Sequence, residues 1–170
     1  MAIRPIVRLG DDVLRQKTEP VTEFDDDLCK LIDDMVDTMY AAPGVGLAAN
    51  QIGVPLDLMI IDTSVGETPG QLRVFANSRI TRTEGEQAGE EGCLSVPGFT
   101  ENVTRPATVW VEFQDRKGEW SELKTEGLMA RAVCHETDHL RGILYVDLLR
   151  GLKKERILKK ISKKQKKGDW

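Results

Sequence analysis

The chain has 170 residues, with 24 Lys/Arg against 28 Asp/Glu, three cysteines and two histidines. That length suits one domain that buries a full core. No apolar run is long enough to span a bilayer, Met1-Ala2-Ile3-Arg4-Pro5 lacks a signal-peptide core, and three cysteines cannot all pair. A cytoplasmic protein with no membrane attachment is therefore expected. Arg150 to Trp170 holds ten Lys/Arg and two Asp/Glu, so an acidic body carries a basic tail that suits an anionic partner.

In chain order, Ile3 to Leu9 is apolar and β-branched and predicts a strand or an extended arm, and Asp11 to Arg15 a short helix. Asp25-Asp26-Asp27 opens a helix to about Ala41, with Leu28, Ile32, Met35, Val36, Met39 and Tyr40 at helical spacing and Cys29 as a small core residue. Pro43-Gly44 ends it. Gly44-Val45-Gly46-Leu47-Ala48-Ala49-Asn50-Gln51 follows, which is neither a dinucleotide fingerprint nor a P-loop. It reads equally as a place where backbone approaches a ligand or as a tight packing turn.

Leu56–Asp62, Leu72–Ala76 and Arg79–Glu84 predict three strands, Glu84–Gly92 a solvated acidic stretch, and Val96-Pro97-Gly98 a turn. Thr108–Phe113 and Glu119–Lys124 predict a hairpin around Asp115–Gly118. Gly127–Leu140 is helical with Gly142 as its stop, Ile143–Val146 is short and apolar, and Leu148–Lys167 is a basic helix with Leu152, Ile157, Leu158 and Ile161 as its stripe. The whole predicts one α+β domain over residues 1–170, with mixed or antiparallel strands packed around the Gly127–Leu140 helix and a helix at the C-terminus.

That central helix carries both histidines, in His135-Glu136-Thr137-Asp138-His139. Positions i and i+4 lie roughly 40° apart around a helix, so two imidazoles can converge on one metal ion. Glu136, about 60° from His139, can act on a water there without taking a ligand position. This is the His-Glu-x-x-His pattern of metal-assisted hydrolysis; the bland alternative is an ordinary helix that happens to carry it. A catalytic metal usually takes three protein ligands, and no third histidine exists, so a thiolate or carboxylate must serve. Cys134 points about 100° away from His135 and reads as a packing residue. Cys93, beside Gly92 in Glu90-Glu91-Gly92-Cys93-Leu94-Ser95, is the better candidate.

Gly44–Gln51, Glu91–Ser95 and His135–His139 together closely resemble the three signature segments of peptide deformylases, in the same order and over nearly the whole chain. The resemblance implies that Cys93, His135 and His139 bind Fe(II), with zinc or nickel able to replace it, and that Glu136 is general base and then acid. It implies that Gln51 and the Leu94 amide stabilise the oxyanion, and that Val45 and Gly46 line the substrate groove. Glu91 looks like the acid that pairs with an arginine, Arg105 standing at the matching place. The implied reaction removes the formyl group from N-formyl-methionyl peptides and releases formate, with a possible ribosome contact through the basic helix and no DNA partner. Two positions depart from the usual pattern: Cys134 replaces a glutamine, and Arg131 stands near the methionine pocket where an apolar residue is common.

Two other readings compete. A zinc metalloprotease takes its third ligand downstream of the motif, where Glu155 is the only glutamate. A nucleic-acid module with a structural zinc would suit the basic tail, but closes its metal with four ligands, and only three convincing ones are present. Asp138 reads equally as an orienting group for an imidazole or a solvated carboxylate.

Overall fold

A computed structural model describes residues 2–170. The Asp25 carboxylate accepts from the Leu28 amide at 3.0 Å and caps helix α1 (Asp26–Ala41), with Asp26 and Asp27 at its positive end. The stripe Leu28, Ile32, Met35 and Met39 packs against strands β1 (Gly46–Ala48) and β2 (Leu58–Ile61). Along β2, Leu58 and Ile60 face α1 while Met59 and Ile61 face the opposite side. An unbroken apolar run is what a strand covered on both faces requires.

Strand β3 (Arg73–Glu84) leads to a two-stranded ribbon, β4 (Gln87–Cys93) and β5 (Val96–Arg105), before β6 (Thr108–Gln114) and β7 (Trp120–Glu126) return to the main sheet. That sheet is antiparallel, in the order β1-β2-β3-β6-β7, with β1 at its edge. Helix α2 (Gly127–Leu140) lies on it, and residues 130–137 are all buried. Its C-terminus stops at Gly142, whose amide donates to the His139 carbonyl at 3.0 Å. Helix α3 (Gly151–Lys167) covers a third cluster formed with Val96, Val103, Tyr145 and Leu149. The α+β architecture with antiparallel strands, a central metal-motif helix and a C-terminal helix is the one expected. No helix among the described residues is long and apolar enough to cross a membrane.

Several local expectations are corrected. The two strands predicted over 72–76 and 79–84 are one, β3, broken in register by a bulge at Asn77. Asn77 takes φ +51° and bonds Val21 and Gln114, so its polarity marks a bulge, not a chain break. Glu84–Gly92 is largely strand β4, and of its two acids Glu90 is exposed while Glu91 is buried, not solvated. The chain reverses at Leu94-Ser95, not at Val96-Pro97-Gly98. Gly92 pairs with Thr100 and Cys93 with Val96, so residues 97–99 bulge out of the ladder, Gly98 supplying a φ of +85°. On α3 only Ile157 and Ile161 are buried, while Leu152 is 67% exposed, because the helix rests on its cluster along a narrow line. Cys29 is half-buried, outside the core.

Candidate active site

Consecutive turns of α2 bring His135 Nε2 and His139 Nε2 to 3.1 Å of each other. Cys93, the last residue of β4, places its Sγ 3.2 Å from His139 Nε2. These ligand atoms all lie within 4.8 Å of one another. A sulfur and two ring nitrogens form a borderline-soft donor set suited to iron or zinc. Burial lowers His139 well below the usual imidazole range, whereas the contacts of His135 with Cys93 and Glu91 outweigh burial and raise it. His135 Nδ1 is 2.7 Å from Glu91 Oε2, a contact that turns Nε2 toward the other two donors. The residues present fit a divalent ion. Cys134 packs in the cluster between α2 and the sheet, and burial pushes its thiol up to about 11. Glu155 is exposed on α3 and is not among the clustered donors.

Glu136 is 4% exposed, and its Oε2 has no partner among the described residues. Burial pushes its carboxyl up to about 7. A Cβ on Gly46 would lie 2.7 Å from Glu136 Oε1, so only glycine lets the edge strand run this close to the carboxylate. Gln51 follows in the 3-10 turn after β1. Its Oε1 accepts from the Ala48 amide at 3.0 Å, and its Nε2 donates to Ser95 Oγ at 3.1 Å while standing 3.8 Å from Cys93 Sγ. Leu94 packs over Gly44, where a Cβ would meet Leu94 Cδ1 at 2.8 Å.

Behind the donors, Glu91 is wholly engaged by protein. Its oxygens accept from Arg105 Nε and Nη2 at 3.1 and 2.7 Å, from Arg131 Nη1 at 3.1 Å, and meet His135 Nδ1. Burial alone pushes this carboxyl up, yet the bonds from His135 and Arg105 hold it down at about 2. Arg105 also binds Asp138 at 2.7 Å, so Asp138 braces the arginine and does not touch an imidazole. Arg131 also donates from Nη1 to the Val103 carbonyl at 2.9 Å and from Nη2 to the Gln87 carbonyl at 3.4 Å. The guanidinium lies 3.1 Å from where a Gly89 Cβ would stand, so this glycine admits it against β4.

A groove of about 820 Å³ opens over these groups. It is lined by nine of the ten residues singled out from the sequence: Val45, Gly46, Gln51, Glu91, Cys93, Leu94, Arg131, His135 and Glu136; His139 is fully buried against them. Three supporting residues were not singled out. Ser95 receives the Gln51 amide, Asn50 donates to the His139 carbonyl at 2.6 Å, and the Tyr145 ring stacks 6.2 Å from that of His135. Ser95 and Asn50 lie inside the quoted segments, whereas nothing in the sequence around Tyr145 marks it.

Residues 3–155 match the family model described as polypeptide deformylase. The chain belongs to that family. A peptide deformylase of Acidobacterium capsulatum is 47% identical over 170 residues, covering all of both chains. The crystal structure of a peptide deformylase from Legionella pneumophila superposes with a TM-score of 0.91 at 45% identity, over 97% of this chain and 96% of that one. A Synechococcus elongatus deformylase, solved in complex with actinonin, gives 0.88 at 40% identity over 92% and 86%. Deformylation of nascent chains by a metal-dependent enzyme is the known role of the family. The three deformylase segments fall here on β1 with its following turn, on the β4–β5 turn and on α2.

Proposed function

We propose that this chain is the hydrolase that removes the formyl group from N-formyl-methionyl nascent polypeptides and releases formate. The observation that carries the reading is the convergence of Cys93 Sγ and two imidazole nitrogens beside buried Glu136, at the floor of a groove flanked by an edge strand. Cys93, His135 and His139 would hold the ion: Fe(II), with Zn(II) or Ni(II) able to replace it. When bound, such an ion acidifies water and polarises the formyl carbonyl.

The protein's own groups supply the rest. Glu136, with a carboxyl poised near 7, takes the proton of the attacking water and passes it to the leaving amine nitrogen. The Gln51 amide and the Leu94 N–H donate to the formyl oxygen as it gains negative charge, a contribution of about 10²–10³ in rate per donor. Val45 lines the groove, and Gly46, at the edge of the sheet, bonds the peptide backbone as a strand-like partner. Glu91 and Arg131 form the inner wall of the methionine recess. The Arg131 charge is balanced there by Glu91 and by the carbonyls of Val103 and Gln87, which lowers its cost beside an apolar side chain.

Residues 1–170 act as one catalytic domain in this reading. The unpaired thiols of Cys29, Cys93 and Cys134 suit a reducing cytoplasm. The exposed lysines of α3 offer a surface for ribosomal RNA. Replacing Lys159, Lys160 and Lys163 by glutamate is expected to weaken ribosome binding, and salt-insensitive binding by the wild type rejects that contact.

The primary test is formate release from an N-formyl-methionyl tripeptide by anaerobically prepared, Fe(II)-loaded protein. Metal-dependent formate with no peptide-bond cleavage, and no action on the unformylated tripeptide, supports the assignment. No formate from metal-loaded protein rejects it.

A further inference from the structure

The end of the chain folds against the back of the groove wall. Trp170 Nε1 donates to the Leu9 carbonyl at 2.7 Å, and its ring lies 6.3 Å from that of Phe99. Gln165 Nε2 donates to the same carbonyl at 2.9 Å, Arg8 Nη1 donates to the Trp170 carbonyl at 2.6 Å, and Lys164 Nζ stands 5.4 Å from the Phe99 ring. The Leu9 amide in turn donates to the Ser95 carbonyl at 2.9 Å, so this clasp reaches the β4–β5 turn.

Pro97, Gly98 and Phe99 line the groove on their other side. They are the residues that bulge out of the β4–β5 ladder, so cross-strand bonds do not fix their position. What fixes it is the packing behind: Tyr145, whose hydroxyl donates to the Phe99 carbonyl at 3.1 Å, and the Trp170 ring with Lys164. Gln51 and Ser95, by contrast, are tied directly to each other and do not need the clasp.

We infer that Trp170 is a positioning residue for substrate: it holds the 97–99 bulge where the peptide backbone beyond the formyl-methionine crosses the groove. The inference rests on the deformylase reading and adds to it a role for the C-terminal end of the chain. Loosening the bulge weakens peptide binding in ground and transition states alike, so KM rises while kcat stays.

The test compares wild type, Trp170→Ala and Trp170→Phe as full-length, metal-loaded enzymes. Trp170→Ala raises KM for a formyl-methionyl tripeptide about three- to tenfold, with kcat and metal content unchanged, and Trp170→Phe restores most of the loss because it keeps a ring against Phe99. Amide exchange at residues 98–100 quickens in Trp170→Ala alone. An unchanged KM, a loss confined to kcat, or unaltered exchange at 98–100 overturns the inference. Absence of formate from wild type rejects the deformylase reading instead, and the exchange comparison then decides the clasp by itself.

Discussion

Arg131 and His135 meet at a single carboxylate: Arg131 Nη1 is 3.1 Å from Glu91 Oε1, and His135 Nδ1 is 2.7 Å from Glu91 Oε2. A positive charge one helical turn before His135 is thereby balanced in place, and Arg105 grips the same carboxylate from the other side.

Replacing Glu91 by alanine leaves two buried guanidiniums without their main partner. Unfolding by denaturant is expected to show a loss of about 3–5 kcal/mol. Chelator competition is expected to show metal affinity lower by about 10–100-fold, since the His135 ring loses its anchor.

Arg131→Met should be milder. Glu91 keeps Arg105 and His135, so stability falls by about 1–3 kcal/mol and metal affinity stays within about threefold of wild type. A loss of metal as large as that of Glu91→Ala would show that Arg131, and not Arg105, sets the carboxylate.

Glu136→Ala is expected to lower kcat by about 10²–10⁴-fold with metal content unchanged. Elemental analysis beside the formate assay checks both halves. Turnover equal to wild type removes Glu136 from the proton transfer.

Gly46→Ala places a methyl group 2.7 Å from Glu136 Oε1 and must push the carboxylate aside. Activity is expected to fall by at least about tenfold. Thermal melting should move by only a few degrees, because the added atom meets a side chain at a groove and not packed core. A variant with full activity would show that the carboxylate position is not critical.

The N-terminal arm supplies a pH test. Asp34 binds Arg4 at 2.9 and 2.7 Å and accepts from the Ala2 amide at 2.8 Å; the Arg4 bonds hold its carboxyl below its ordinary 3.8. The folded state therefore favours the ionised form. Its stabilisation is complete above the unfolded value and is lost as pH falls through the lower folded one. Urea midpoints measured from about pH 6 down to about pH 2 should fall less steeply for Asp34→Asn than for wild type.

The chemistry was legible in the sequence because each of its parts is local. His135 and His139 share a helical face by spacing alone, and Cys93 stands beside a glycine that lets the backbone close in. What was not legible depends on partners far along the chain. Asn77 reads as a break between two strands until Val21 and Gln114 are seen to occupy its amide. Glu91 reads as part of a solvated acidic stretch until Arg105, Arg131 and His135 are seen to close around it. Leu152 and Leu158 share the spacing of Ile157 and Ile161, yet spacing cannot say how wide a face the cluster beneath α3 covers. Tyr145 carries no motif at all, and only folding brings its ring over His135.

The three-residue edge strand β1 has a wider consequence. A sheet edge reads amides and carbonyls, which every polypeptide repeats, and ignores the side chains that make proteins differ. Beyond its first residue, a chain entering this groove presents the same lettering whatever gene encoded it. If peptides bind along that edge as proposed, the enzyme is a generalist, equipped to serve a whole proteome with one active site.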